Sequence, residues 1–274
     1  MTEGAVHTVP VADGESVEVD WTAPTGASPI AVFIHGFGSH RRGEKAQYFA
    51  VRFVDAGWGF LSFDLRGHGD SGGSMRNLSL TNQLADIAAV MDWLPTKTMP
   101  LLMIGSSMGA GLAAWYLLRR HPQVQGLVMI APALRFPWSL HEQLSAAELA
   151  AWERDGVRRI QNHWLDVEIG YGLVQDARSY DPGRLIREHR TPSLIFHGMR
   201  DDSIPWQQSM HFAERCPGTV TDLMLVKRGD HRLTDHMRFL YETIVSWWNG
   251  LERQRSAPSY PAPSLRNGPA FPGR

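Results

Sequence analysis

Three apolar runs stand out early in the chain: Pro29-Ile30-Ala31-Val32-Phe33-Ile34, Gly59-Phe60-Leu61-Ser62-Phe63 and Pro100-Leu101-Leu102-Met103-Ile104. Short apolar runs without alternation predict strands buried on both faces. Glu15-Ser16-Val17-Glu18-Val19-Asp20-Trp21 instead alternates polar and apolar, which predicts a half-exposed strand near a sheet edge. Residues 43–56 set Ala46, Phe49, Ala50 and Phe53 on one face of a helix. Residues 80–93 read as a second amphipathic helix, and a third follows the Pro100 run to about residue 120. Further strands are expected at 124–133, 192–196 and 222–226, and a closing helix at 234–251. Alternating strands and helices predict an α/β fold with a mostly parallel sheet flanked by helices.

Residues 134–190 break this rhythm. They contain no buried-strand run, only short helical patterns at 146–157 and 167–174, with Phe136, Trp138, Trp152, Trp164 and Tyr171 scattered among them. A connection this long inside a compact domain is commonly a functional lid. The expected organisation is a core from residues 1–133 and 191–252, a helical cap insertion at 134–190, and a disordered tail at 253–274. The tail is rich in Pro, Ser, Gly and Arg.

Composition narrows the function classes. The chain has 274 residues, with 27 basic and 28 acidic side chains and a net charge of -1. There is no basic excess to hold nucleic acid or an acidic membrane surface. A single cysteine, Cys216, excludes an intrachain disulfide framework and points to a reducing compartment. The first residues show neither a basic nor an apolar leader, so a cytoplasmic address is expected. Residues 101–118 approach the length of a membrane span, but glycines and serines interrupt them, so no integral membrane association is expected. The 12 histidines form no ligand cluster of accepted spacing, so neither metal nor cofactor is expected.

The candidate chemistry centres on Ser107 in Gly105-Ser106-Ser107-Met108-Gly109, directly after the Pro100 run. A sharp strand-to-helix turn lifts a serine oxygen clear of the backbone, and flanking small residues let other chain segments pass close by. A serine hydroxyl needs a base to take its proton, and in this architecture the order is serine, acid, histidine. The 192–196 strand runs into His197-Gly198-Met199-Arg200-Asp201-Asp202, and the next into Lys227-Arg228-Gly229-Asp230-His231. An acid, Asp201 or its neighbour Asp202, and the base His231 thus fall at strand carboxyl ends, where such sheets bind ligands. The Met108 and Phe37 backbone N–H groups are the expected oxyanion donors. His35, His68 and His197 have the simpler reading of structural hydrogen-bonding groups, Asp230 that of a helix cap, and Asp64 that of a loop organiser.

Together His35-Gly36-Phe37-Gly38, the segment from Phe63 to Ser71, the Ser107 turn, Asp201 and His231 resemble an α/β-hydrolase over residues 15–250. The H-G-x-x-D spacing of that family implies Asp201 rather than Asp202 as the acid. His197 to Trp206, then Ser209-Met210 and Asp230-His231-Arg232, are similar to a lineage of palmitoyl-protein thioesterases and acyl-glucuronide esterases. Gly43-Glu44-Lys45-Ala46 fits the same lineage. The loops at His35 and Asp64 look more like those of bacterial esterases and monoacylglycerol lipases. The resemblance implies hydrolysis of carboxylic esters or thioesters through an acyl-enzyme. The substrate would be a small molecule or an S-acylated partner, with Trp138, Trp164 and Trp206 as candidate contacts to it. A prolyl-aminopeptidase-like or monoacylglycerol lipase-like enzyme, and a ligand-binding relative without catalysis, are the competing readings.

Overall fold

The computed structural model describes residues 5–118, 121, 123–161, 165–218 and 220–256. Its main sheet has eight strands in the order β1-β2-β4-β3-β5-β6-β9-β10. These are β1 (Ala5–Pro10), β2 (Ser16–Thr22), β3 (Ile30–Ile34), β4 (Gly59–Phe63), β5 (Leu101–Ser106), β6 (Val124–Ile130), β9 (Ser193–Gly198) and β10 (Thr221–Val226). β1 runs antiparallel to β2, and β2 antiparallel to β4. From β4 to β10 every pairing is parallel. The continuous apolar runs occupy the centre of this sheet, where both faces are covered.

Alternate residues of the strands feed two separate cores. Val32, Ile34, Leu61, Phe63 and Met103 face α2 (Leu80–Trp93) and α3 (Met108–Tyr116). Ala31, Phe33, Phe60 and Ile104 face α1 (Glu44–Asp55) and α9 (Met237–Ser256). α9 carries residues 253–256 as regular helix, so the expected tail begins within it, and the rest of that tail lies outside the described residues.

The segment between β6 and β9 holds α4 (Trp138–Glu142), α5 (Ala146–Asp155), α6 (Gly172–Ala177) and α7 (Gly183–Glu188). It also holds an antiparallel pair, β7 (Val157–Gln161) with β8 (Asp166–Gly170), where a helix over 167–174 was expected. Gly156 ends α5 in the left-handed conformation with φ 74°, turning the chain into β7. This segment packs its own apolar cluster of Trp152, Ile169, Tyr171, Leu173 and Val174, joined by Leu78 of the core.

Candidate active site

The β5–α3 turn places Ser107 at φ 53° and ψ -117°, a conformation that strains any residue with a side chain. Packing on both sides over-determines it. A methyl added at Gly109 would collide with the Ile34 and His35 carbonyl oxygens, and one added at Gly105 would strike the Ala110 backbone. The Ser107 N–H donates to the Ile130 carbonyl at 2.8 Å, and its carbonyl accepts from Ala133 at 3.1 Å. The turn is thereby fastened to β6 and to the residues just after it.

His231, in the loop after β10, brings Nε2 to 3.0 Å from Ser107 Oγ. Its Nδ1 lies 2.8 Å from Asp201 Oδ2, in the loop after β9. The sequence separations are 124 and 30 residues, so only the sheet brings these groups together. Since Asp201 can only accept, Nδ1 carries the hydrogen and Nε2 is left bare toward the Ser107 hydroxyl. Asp201 Oδ1 accepts from the Ser203 and Ile204 N–H groups at 2.9 and 2.8 Å. Burial pushes the Asp201 carboxyl up, but hydrogen bonds from His197, His231 and Ile204 outweigh it and hold it well below the usual carboxylate range. Among the described residues, Asp202 accepts a local hydrogen bond from the Ser203 hydroxyl at 3.1 Å and no other.

The loop after β3 approaches the same point. A methyl on Gly36 would lie 3.2 Å from Ser107 Cβ. The Gly36 carbonyl accepts from Ser39 N–H at 3.1 Å and from His35 Nδ1 at 2.8 Å. His35 Nε2 in turn accepts from Leu65 N–H at 3.0 Å, which fixes the ring tautomer. Burial, with His68 beside it, pushes the His35 imidazole down to about 3, so it stays neutral near physiological pH. In a trans peptide the N–H points opposite the carbonyl. Two donors on the Gly36 oxygen therefore fix the direction of the Phe37 N–H, which has no acceptor among the described residues. Met108 opens α3, so its N–H also lacks an intrahelical partner.

The loop is anchored from behind by Arg41. Its backbone N–H and guanidinium both bond the buried Asp64, and the guanidinium reaches Asp20 at 3.2 Å and Asp70 at 2.9 Å. Asp64 also accepts from Asp70 N–H at 2.9 Å, the loop-organising role its position suggested. Asp230 accepts from Leu233 N–H at 2.8 Å and shapes the turn after His231.

The tryptophans fall apart. Trp138 is buried in the main core with its ring 6.2 Å from Trp115. Trp206 is half-buried just before α8 (Gln207–Arg215), and Trp164 lies outside the described residues. Two contacts carried no sequence signal. Phe37 packs its ring 5.7 Å from Phe136 of the insertion. Leu165, just before β8, presses on Gly38, where an added methyl would lie 2.6 Å from its Cδ1. Among the described residues no group of three or more His, Cys, Asp or Glu could hold a metal ion, and no helix is long and apolar enough to cross a membrane.

Solved structures share this architecture. The mouse alpha/beta hydrolase domain-containing protein 10 superposes with a TM-score of 0.79 at 23% identity, over 90% of this chain and all of that one. Est1E of Butyrivibrio proteoclasticus with ferulic acid bound gives 0.77 at 19%, over 90% of this chain and 99% of that one. The fold and its strand-end loops define an α/β-hydrolase. More particularly, the chain belongs to the family described as serine aminopeptidase, S33, whose model matches residues 27–168. The mitochondrial palmitoyl-protein thioesterase ABHD10 of Bos taurus is 27% identical over 213 residues, covering 77% of this chain and 69% of that protein. A monoacylglycerol lipase of Mycolicibacterium smegmatis is 27% identical over 181 residues, covering 65% of this chain and 60% of the lipase. The chain is accordingly a hydrolase with thioesterase, esterase and lipase relatives.

Proposed function

We propose that this hydrolase cleaves carboxylic esters or thioesters of acyl groups, with Ser107 as nucleophile, His231 as general base and Asp201 as its orienting acid. The observation that carries this reading is the 3.0 Å contact from His231 Nε2 to a hydroxyl held at φ 53°. Ser107 Oγ attacks the acyl carbonyl while His231 Nε2 takes its proton. The oxyanion is held by the Phe37 and Met108 N–H groups. The charged imidazole faces an ionised Asp201 and returns its proton to the leaving oxygen or sulfur. Water, deprotonated by the same nitrogen, then frees the acid from Ser107.

An acyl chain fits the surroundings. Phe37, Phe136, Leu140, Leu144 and Leu149 are partly buried side chains packed on the insertion's cluster, an apolar wall beginning at the oxyanion loop. Relatives named for palmitoyl-protein and monoacylglycerol substrates support an acyl group of medium to long chain. The single Cys216, its thiol 3.1 Å from the Thr221 hydroxyl, fits a reducing compartment such as the cytoplasm.

Ser107→Ala decides the mechanism. The variant is expected to keep the wild-type melting profile, lose turnover of p-nitrophenyl butyrate and escape labelling by a fluorophosphonate. Near wild-type turnover by this variant would move the nucleophile elsewhere. A chain-length series of acyl esters, acyl-CoA and S-acyl peptides then ranks the substrates.

A further inference from the structure

Two histidines, not one, bond the Asp201 carboxylate. Oδ2 accepts from His231 Nδ1 at 2.8 Å and from His197 Nε2 at 3.0 Å. With Ser203 and Ile204 on Oδ1, the buried carboxylate has all four acceptor directions filled. His197 Nε2 faces only acceptors, Asp201 and the Ile204 carbonyl at 3.1 Å, so that nitrogen carries the hydrogen. Its Nδ1 lies 2.7 Å from the Ser209 hydroxyl. In the neutral ring Nδ1 is bare and accepts the hydroxyl proton. His197 is the penultimate residue of β9 and Ser209 stands on α8, and both are fully buried.

We infer that His197, held in one tautomer by the acceptors at Nε2 and anchored at Nδ1 by Ser209, is a positioning residue of the hydrolytic site, fixing the Asp201 carboxylate for His231. This inference rests on the serine hydrolase reading above. The two imidazoles compete for one oxygen. The His197 donor pins Oδ2 where His231 Nδ1 meets it and takes a share of its charge. That share lessens the pull of Asp201 on the charged imidazole formed during turnover. The charged groups flanking His231 on its own loop are Asp230 and Arg232, which face Glu44 and Lys45 on α1. Arg232 pairs with Glu44 at 3.0 Å, and burial beside Arg232 pushes the Lys45 ammonium down to about 8. The Asp201 carboxylate is bonded by His197, His231, Ser203 and Ile204, and removing the His197 donor perturbs its Oδ2.

The test compares wild type with His197→Phe, His197→Gln and Ser209→Ala, using p-nitrophenyl butyrate. Phenylalanine keeps a ring and removes the donor. It is expected to lower kcat about 10- to 100-fold with little change in KM. The acid limb of the pH–rate profile is expected to move up by about half a pH unit. Glutamine can present an amide N–H to the same oxygen and is expected to restore most of both losses. Ser209→Ala removes the anchor at Nδ1, loosens the ring and is expected to cost a few-fold. A merely structural histidine moves the melting temperature and neither the acid limb nor the Gln rescue. Wild-type kcat and an unshifted limb in His197→Phe overturn the inference, as does a Gln variant no better than Phe. Nitrogen NMR of the labelled wild-type histidines tests it without any variant or substrate. A protonated Nε2 and bare Nδ1 on His197 support it, and the opposite tautomer overturns it. If wild type neither hydrolyses the ester nor takes the fluorophosphonate, the functional reading fails while the nitrogen spectrum still decides the tautomer.

Discussion

Gly38→Ala probes how the insertion bears on the loop proposed to hold the oxyanion, because two costs meet at one atom. Gly38 has φ +68°, where an alanine costs about 1–2 kcal/mol. Its new Cβ would also lie 2.6 Å from Leu165 Cδ1, roughly 1 Å inside normal carbon contact. The leucine tip can rotate away, whereas the φ strain stays with the backbone. Strain alone predicts a melting temperature lower by about 2–6 °C. If the loop relaxes instead, the Phe37 N–H leaves its aim, and losing one oxyanion donor costs about 100- to 1,000-fold in kcat. The assay is a double-mutant cycle with Leu165→Ala, read by thermal melts and by kcat on p-nitrophenyl butyrate. Leu165→Ala alone is expected to change little, since Leu165 is half-buried. In the Gly38→Ala background it is expected to recover the share due to the clash and none of the φ share, so the cycle is non-additive. Strict additivity would mean that the Leu165 tip yields without cost, and would refute the claim that Leu165 constrains the loop at Gly38.

Three other outcomes follow from the same geometry. Asp201→Asn offers His231 a donor where it needs an acceptor and is expected to cost about 10,000-fold in kcat; a loss below about tenfold would pass the acid's role to Asp202. Gly109→Ala drives a methyl into the Ile34 and His35 carbonyl oxygens and is expected to destabilise by about 3 kcal/mol or more in urea unfolding, since backbone cannot yield. His35 and His189 are buried, and burial lowers their folded values to about 3 and about 4, below the ordinary 6.5. Below the ordinary value the unfolded chain takes up protons that the folded one refuses. Stability is therefore full above about pH 6.5 and falls as pH drops toward 3–4, by about 1.4 kcal/mol per histidine per pH unit. Urea titrations at stepped pH check this, and a flat profile from pH 7 to 5 would contradict it.

What the sequence makes legible follows from how far each signal reaches. β3, β4 and β5 are covered on both faces and so appear as unbroken apolar runs. β1 escapes notice because it is an exposed edge strand with only Val9 buried; pairing with β2 makes it, not its own composition. In the insertion, Val167, Tyr171 and Val174 are spaced as on a helix face, yet Val167 lies in β8, Val174 in α6, and Tyr171 between them, flanked by Gly170 and Gly172. α8 buries only Ser209 and Phe212, too few apolar positions to announce a helix. At the site, Ser107, Asp201 and His231 each end a recognisable strand, so their meeting could be expected from chain order. The hold of His197 on Asp201, and of Leu165 on Gly38, joins residues that no local pattern connects.

The insertion leaves from β6 and returns on β9, which are neighbours in the sheet. Its two ends are bonded side by side, Ala131 N–H to the Phe196 carbonyl at 2.8 Å and Leu127 N–H to the Pro192 carbonyl at 2.9 Å. A segment whose ends already meet can lengthen, shorten or be exchanged with only a slow logarithmic rise in closure cost. The sheet then works as a fixed chassis and the intervening residues as an interchangeable fitting. Grafting another hydrolase's segment between these ends is a route to new substrates that leaves the loop carrying Ser107 and the two downstream loops unaltered.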